Sequence, residues 1–201
     1  MKCFPKVLKT DYFELRALAP TFENAKMFLD GLERQDKRAR MVFCQKDFDE
    51  LSNVENVYEW MKSFNDKDDN KDNPFKYGRL YGAFVDGEYA GFIEFIHLWL
   101  ETRSVEIGGY MRKKFEGRWV VPQVLKLVEN ELFGKLDWHK IEIGHNSGNN
   151  ITKYIAERNG YKQEARLRDA NKINGQYYDQ LYYGKLKSEW SGFIDNAPKC
   201  F

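Results

Sequence analysis

Apolar and polar residues alternate in seven segments of the chain, and this alternation predicts seven β-strands. The predicted strands cover residues 6–18, 80–85, 89–99, 104–111, 140–143, 161–167 and 177–186. Between these segments apolar residues recur every three or four positions, which is the spacing of an amphipathic α-helix. This spacing predicts helices over residues 22–32, 54–64, 121–136 and 149–158. Strands and helices are therefore expected to mix along the whole chain.

Turn residues mark the ends of several predicted elements. Asp86-Gly87 and Asn174-Gly175 each join two predicted strands, as in the tight turns of β-hairpins. Asn159-Gly160 ends a predicted helix, where glycine supplies the left-handed cap. Residues 65–74, NDKDDNKDNP, are polar, mixed in charge and closed by proline, which indicates an exposed flexible loop. A functional role for this loop and a plain solvated tip are both open.

The order of elements is β, α, α, β, β, β, α, β, α, β, β, which predicts an α+β fold, an α/β sandwich built on one sheet. A chain of 201 residues can still form a single hydrophobic core, so we expect one domain over residues 1–201. Residues 191–201 follow the last predicted strand as a C-terminal tail.

The charge balance limits the kinds of partner. The chain has 32 Lys and Arg residues against 31 Asp and Glu, for a net charge of +1. A protein that binds the nucleic-acid backbone in general needs a positive surplus, so DNA is not an expected partner. Any basic site must therefore be local.

Cysteine and histidine usage and hydropathy bear on compartment and metal content. The three cysteines are far apart, which indicates reduced thiols in the cytosol; they are Cys3, Cys44 and Cys200. No apolar run reaches the length of a signal peptide or a membrane span, so we expect a cytoplasmic protein without a membrane partner. The histidines show no metal-ligand spacing, and no metal is expected; they are His97, His139 and His145.

Positive charge is concentrated in one loop between a predicted strand and a predicted helix. Residues 112–118, RKKFEGR, carry four cations and one carboxylate around a single glycine. Free N–H groups and the dipole at a helix start both favour an anion, so this loop is a candidate phosphate site. A loop whose cations are only solvated is the alternative.

Several short sequence segments match segments of a known protein superfamily in the same order. VEIGGYM (105–111), the basic loop, DWHKIEI (137–143), NNITKYIAERNGY (149–161) and NGQYYDQLYYGKLKSEW (174–190) occur in that order. Over residues 104–190 the chain resembles the GNAT superfamily of acyl-CoA-dependent N-acetyltransferases, and within it the RimJ/RimL-like group. The resemblance implies a mixed, mostly antiparallel sheet of about seven strands with about four helices, splayed between the fourth and fifth strands.

The same resemblance implies acetyl-CoA as co-substrate and assigns residues to it. The backbone amides of Tyr110 and Met111 would pair with the pantetheine arm in the splayed gap. The side-chain amide of Asn149 would bind a pantetheine carbonyl, although a plain helix N-cap is the alternative for this residue. The hydroxyl of Thr152 would hydrogen-bond the departing sulfur, or else bond within its own helix.

The basic loop corresponds to the pyrophosphate-binding loop of the superfamily. The candidate polyphosphate-binding residues are Arg112, Lys114, Gly117, Arg118 and Trp119, of which the cations would act by direct charge pairing. Trp119 stands where the superfamily has a glycine, so it is both a candidate contact and a departure from the pattern. Glu116 and Pro122 depart as well, because one adds negative charge and the other lacks an N–H. The loop is therefore expected to attract polyphosphate by charge more than by backbone geometry.

Acetyl transfer to an amine requires the neutral amine. At pH 7 an α-amine with a pKa near 8 is roughly 10% neutral, so a weak base suffices for it. Glu106 matches an acidic position of the family and is the first candidate, with Glu94 and Asp169 as further candidates. The tyrosine acid of other branches is here Ala156, which adds weight to Thr152.

Three functions compete at this point. The first is acetyl-CoA-dependent N-acetyl transfer to a primary amine, either a protein N-terminal α-amine or a small molecule, by direct attack in a ternary complex. The second is a GNAT-like binding or assembly protein that has lost catalysis, which the altered loop favours. The third, an RNA- or ribosome-binding factor, conflicts with the balanced charge. The acceptor is not encoded in any recognisable pattern, and a homodimer stays open.

Overall fold

The computed structural model describes residues 3–42, 45–65, 73–118 and 120–192. Most of the predicted 65–74 loop and most of the predicted tail lie outside these residues. Of the three described residues of that loop, Asn65 ends a helix, and Asn73 and Pro74 contradict the prediction of exposure because they are buried. The carbonyl of Pro74 accepts a hydrogen bond from the N–H of Phe4 at 2.8 Å, which fixes this end of the loop against the core.

The described residues form one mixed sheet with the strand order β1-β2-β3-β4-β5-β6-β8-β7. The strands are β1 Val7–Lys9, β2 Phe13–Ala17, β3 Leu80–Val85, β4 Glu88–Trp99, β5 Ser104–Met111, β6 Lys140–Asn146, β7 Lys162–Ile173 and β8 Gln176–Leu186. Only β5 and β6 pair in parallel, and the other neighbours are antiparallel. The predicted α+β fold with a mostly antiparallel sheet is confirmed.

The helices lie on both faces of this sheet. They are α1 Phe22–Gly31, α2 Lys37–Val42, α3 Gln45–Glu50, α4 Val54–Asn65, α5 Val120–Glu129 and α6 Asn150–Arg158. A π-helical segment, Asn130–Lys135, continues α5, and short 3-10 turns cover Lys113–Phe115 and Lys187–Glu189. The helices α2 and α3 were not predicted, and the first predicted strand is divided into β1 and β2.

Alternating side chains divide the core between the two faces. On one face Val105 and Ile107 of β5 pack with apolar residues of α5 and α6. On the other face Tyr110 packs with residues of α1 to α4. Each face of β5 is therefore covered by a different set of helices, and the even-numbered residues of β5 face α1 to α4.

The predicted turns and the helix cap are confirmed by the backbone. Asp86-Gly87 and Asn174-Gly175 both have positive φ at each residue, with values of 51° and 79° in the first and 50° and 82° in the second. This is the conformation of a two-residue hairpin turn. Gly160 follows α6 with φ of 82°, as a left-handed cap requires.

Candidate functional site

The parallel strands β5 and β6 separate part-way along their length. They pair from Ser104↔Lys140 to Ile107↔Ile143, and the pairing stops there. Beyond that point β5 pairs only with β4, and β6 only with β8. A gap therefore opens between Gly108 and Gly144, which confirms the splay predicted between the fourth and fifth strands.

The register of β5 decides which backbone groups face this gap. The N–H of Arg112 donates to the carbonyl of Ala90 on β4 at 2.8 Å. Backbone groups alternate in direction along a strand, so the N–H of Tyr110 also points to β4, whereas that of Met111 points away from β4. The expectation that both amides are available is thus corrected: Met111 faces the gap, and the Tyr110 amide is taken up by the sheet.

Asn149 and Thr152 stand at the start of α6, just beyond the end of β6. The side-chain oxygen of Asn149 accepts a hydrogen bond from the N–H of Thr152 at 3.1 Å, so Asn149 is the N-cap. Among the described residues, neither Nδ2 of Asn149 nor Oγ1 of Thr152 has a hydrogen-bond partner. Capping uses one atom of the amide and leaves the donor atom for a ligand carbonyl, so the two roles considered for Asn149 are compatible.

Two cations of the basic loop, Arg112 and Lys114, are already paired with carboxylates. Arg112 donates from Nη1 to Oε1 of Glu88 at 3.1 Å and to the carbonyl of Tyr89 at 2.8 Å. Lys114 donates to the other oxygen of Glu88. Lys114 and Arg112 lower the pKa of Glu88. Arg112 also lines a cavity of about 360 Å³ against α1.

A second carboxylate, Glu33, ties the loop after α1 to the basic loop. Its Oε2 accepts from the hydroxyl of Tyr110 at 2.7 Å and from the N–H of Lys113 at 2.9 Å. Its Oε1 lies 3.8 Å from Nε of Arg112. Glu33 adopts φ of 47°, a left-handed conformation that is uncommon outside glycine.

The second half of the basic loop is more open. Gly117 has φ of 73°, and a Cβ placed on it would meet no described atom within 4 Å. Arg118 is exposed, and its guanidinium carbon lies 5.6 Å from the ring centre of Phe115. Trp119 lies outside the described residues, so its contact with a ligand stays a prediction. Pro122 is in the first turn of α5, where an N–H has no partner within the helix, so proline is tolerated there.

Glu106 lies at the point where the gap begins. It pairs with Glu142 one position before the last paired residues, and its side chain is only 10% exposed. A Cβ on Gly144 would lie 2.5 Å from Oε1 of Glu106, so the absence of a side chain there lets the carboxylate rest against β6. Its Oε2 lies 2.8 Å from Nδ1 of His97, whose side chain is 62% exposed.

The two other candidate bases lie in different surroundings. Glu94 is buried on the same face as Glu106, near Gly108. Asp169 is exposed on an irregular part of β7, and its N–H donates to Oδ1 of Asp179 at 3.0 Å. The N–H of Asp169 and the guanidinium of Arg166 lower the pKa of Asp179, which thus organises the hairpin. The structure brings Glu94 and Glu106 together, and Asp169 is on a separate strand.

Comparison with known families decides the assignment. Residues 14–162 match the model of the acetyltransferase (GNAT) domain, which is well over half of the chain. The chain belongs to this family. Its GNAT domain includes the gap, the basic loop and the start of α6.

Individual relatives agree with this assignment. YdaF of Bacillus subtilis (strain 168), whose name gives it a provisional role as a ribosomal N-acetyltransferase, is 32% identical over 111 residues, which cover 55% of this chain and 61% of YdaF. The ribosomal-protein-serine acetyltransferase of Escherichia coli (strain K12) is 23% identical over 110 residues, which cover 55% of this chain and 62% of that protein. The chain thus spans about three fifths of the curated relatives that it matches.

A solved structure extends the likeness of fold. The ribosomal L7/L12 α-N-protein acetyltransferase RimL, in complex with coenzyme A, superposes with a TM-score of 0.77 at 17% identity, covering 92% of this chain and 98% of RimL.

Among the residues that the structure describes, no helix combines the length and the apolar character that a membrane crossing requires.

The GNAT domain also contains polar residues that sequence reasoning missed. His97 reaches Glu106 because β4 has an irregularity between Phe95 and Leu98, which changes the alternation of side chains.

His145 is buried at the end of β6, with Nδ1 2.8 Å from the carbonyl of Asn146 and Nε2 without a partner among the described residues. Its ring stacks on Tyr183 with 5.4 Å between ring centres. No sequence signal pointed to Glu33, whose partners lie about 80 residues further along the chain.

Proposed function

We propose that this protein is an acetyl-CoA-dependent N-acetyltransferase that transfers the acetyl group to a primary amine by direct attack in a ternary complex. The observation that carries the proposal is the gap between β5 and β6, with Glu106 at its closed end, in a chain of the GNAT family. The gap supplies unpaired backbone groups for an extended ligand, and a carboxylate lies where that ligand would end.

The residues around the gap fit acetyl-CoA. The N–H of Met111 would pair with the pantetheine arm, and Nδ2 of Asn149 would donate to one of its carbonyls. Thr152 would donate its hydroxyl to the sulfur as negative charge develops there. When bound, the co-substrate supplies the activated acetyl group, and the protein positions it and stabilises the leaving thiolate.

The polyphosphate would lie against the second half of the basic loop. Arg118 is exposed there, and Gly117 is exposed too, with no described atom within 4 Å of the place where a Cβ on it would lie. Arg112 and Lys114 would contribute only after exchanging Glu88 for phosphate. This competition favours weaker binding than four free cations would give.

The acceptor that we propose is the α-amine of a protein N-terminus. Both curated relatives carry names that refer to ribosomal proteins or ribosomal acetylation, which favours a protein acceptor. An α-amine also needs the weakest base, because roughly a tenth of it is neutral at pH 7. The carboxylate of Glu106 is part of the group that accepts the proton of this amine.

Calorimetry with acetyl-CoA, followed by mass spectrometry of peptides with free or blocked N-termini, tests this function. We expect binding, and acetylation of the free N-termini only. Thr152→Ala should lower kcat with little change in Kd, whereas Thr152→Ser keeps the hydroxyl and should stay near the wild type. Equal kcat for all three proteins would remove the role of Thr152.

A binding protein without catalysis is the second candidate, and the pairing of Arg112 and Lys114 with Glu88 favours it. Such a protein would bind neither acetyl-CoA nor desulfo-CoA at millimolar concentration, or would bind them without transfer. Either result would reject the enzyme in favour of the binding protein.

A further inference from the structure

His97 and Glu106 form a hydrogen-bonded pair on the face of the sheet that α1 to α4 cover. The pair joins Nδ1 of the imidazole to Oε2 of the carboxylate at 2.8 Å. One partner is almost buried and the other is largely exposed, with side-chain exposures of 10% for Glu106 and 62% for His97. A buried carboxylate that holds an accessible imidazole is the arrangement that fixes a histidine as a base.

We infer that His97 is the general base of acetyl transfer and that Glu106 is its positioning residue. This inference rests on the proposed function and assigns the proton to the imidazole instead of the carboxylate. The carboxylate accepts the hydrogen on Nδ1, which leaves the lone pair of Nε2 available on the exposed side of the ring. An acceptor amine at the closed end of the gap would be next to Glu106 and could give its proton to Nε2 directly or through one water.

The choice of imidazole over carboxylate follows from proton affinity. Free imidazole side chains hold a proton roughly 100-fold more tightly than free carboxylates, and so match an α-ammonium group better. Three other ionisable groups near the pair are poorer bases for an amine. Glu94 and Glu142 are carboxylates, and burial, with the charges of Glu106 and Glu142, raises the pKa of Tyr182.

The acceptor nitrogen loses two protons during the transfer, one to His97 and one to the leaving sulfur. An ammonium acceptor has three N–H protons, and the amide product keeps one. Nε2 of His97 takes the first proton before attack and releases it to solvent. The nitrogen lone pair then forms the bond to the carbonyl carbon, the C–S bond breaks with its electrons on sulfur, and the second proton ends on that sulfur.

The kinetic test compares His97→Ala with His139→Ala, which removes another exposed histidine outside the site. With an N-terminal peptide at pH 7, His97→Ala should lower kcat at least about tenfold, because no positioned base then takes the proton from the bound ammonium group. The difference should disappear by about pH 9, where the amine is neutral in any case. His139→Ala should follow the wild-type profile throughout.

Chemical rescue separates a base from a structural residue. Because His97 is exposed, its removal leaves a space open to solvent, and added imidazole should restore kcat of His97→Ala. Glu106→Gln should also lower kcat at pH 7, without rescue, because His97 still occupies the position. A His97→Ala enzyme that equals the wild type from pH 6 to pH 9, or that imidazole fails to rescue, overturns the inference.

A readout without acetyl-CoA keeps the inference separate from the proposed function. Nitrogen-15 NMR of the free protein should show neutral His97 protonated at Nδ1, and Glu106→Gln should reduce that preference. A dominant Nε2–H form, or no change in Glu106→Gln, overturns the inference alone. A wild-type protein that transfers acetyl to no amine overturns the proposed function and this inference together, whereas transfer with an unimpaired His97→Ala leaves the function standing.

Discussion

Nζ of Lys185 lies 2.9 Å from Oε2 of Glu129, and both side chains are buried between β8 and α5. The same ammonium group donates to the carbonyl of Asn159 at the end of α6, also at 2.9 Å. This ion pair therefore joins the two helices that pack on one face of the sheet. Burial raises the pKa of Glu129, and the ammonium group of Lys185 opposes that rise.

Breaking this pair from one side should be costly. Glu129→Leu or Lys185→Met leaves one buried charge without its partner, and each should lower the free energy of unfolding by about 3 kcal/mol. The double variant Glu129→Leu/Lys185→Met removes both charges and should recover most of the loss. Urea denaturation of the four proteins measures the coupling, and strictly additive losses would show that the pair does not act as a unit.

Two substitutions of Asn149 separate its role as helix cap from its proposed contact with acetyl-CoA. Asn149→Asp keeps an oxygen that can accept the N–H of Thr152, so its thermal stability should stay near the wild type. It loses the amide donor, and Kd for acetyl-CoA should rise about tenfold. Asn149→Ala should lose about 1 kcal/mol of stability as well as the affinity. Isothermal titration and thermal denaturation measure the two effects, and an unchanged Kd for Asn149→Asp would leave Asn149 as a cap only.

The sequence predicted most of the fold because its patterns are local. The alternation in β3 to β6 and the turn at Asn174-Gly175 depend on neighbouring residues, and both appear where they were expected. The helices α2 and α3 have six residues each, fewer than two turns, so no helical period is visible in their sequence.

Parts of the candidate site depend on long-range register, which a single sequence does not reveal. The irregularity in β4 brings His97 onto the face of Glu106, whereas strict alternation from Glu94 would put it on the opposite face. The direction of the Tyr110 amide likewise follows from pairing with β4. The resemblance to the family found the position of Glu106, but its partner became visible only in three dimensions.

The pairing of loop cations with Glu88 gives a prediction about affinity. Glu88→Gln removes the charge that competes with phosphate for Arg112 and Lys114, so Kd for acetyl-CoA should fall about threefold at low salt. Glu23→Gln is the matched control, because Glu23 lines the same cavity and is exposed. Titration calorimetry at two salt concentrations measures both variants. Equal Kd values for the wild type and Glu88→Gln would show that these cations do not meet the polyphosphate.

His145 gives the fold a pH dependence with a defined sign. Burial lowers the pKa of His145, and the charge of Lys153 lowers it further. In the unfolded chain a histidine binds a proton near pH 6.5, so below that pH the unfolded state holds more protons than the folded state. The contribution to stability is therefore present above about pH 6.5 and is lost as the pH falls.

Replacing His145 by phenylalanine should weaken this dependence. Phenylalanine can keep the stacking on Tyr183 but cannot bind a proton, so the fall in the free energy of unfolding between about pH 6.5 and pH 5 should be smaller by up to about 1.4 kcal/mol per pH unit. His139→Phe, at an exposed position, should keep the wild-type slope. Because burial raises the pKa of Glu129, its contribution to the free energy of unfolding changes with pH in the opposite direction. This contribution is the same in all three proteins and cancels from the comparison. Parallel stability curves for the wild type and His145→Phe would mean that the buried imidazole is protonated equally in the folded and unfolded chains, contrary to its surroundings.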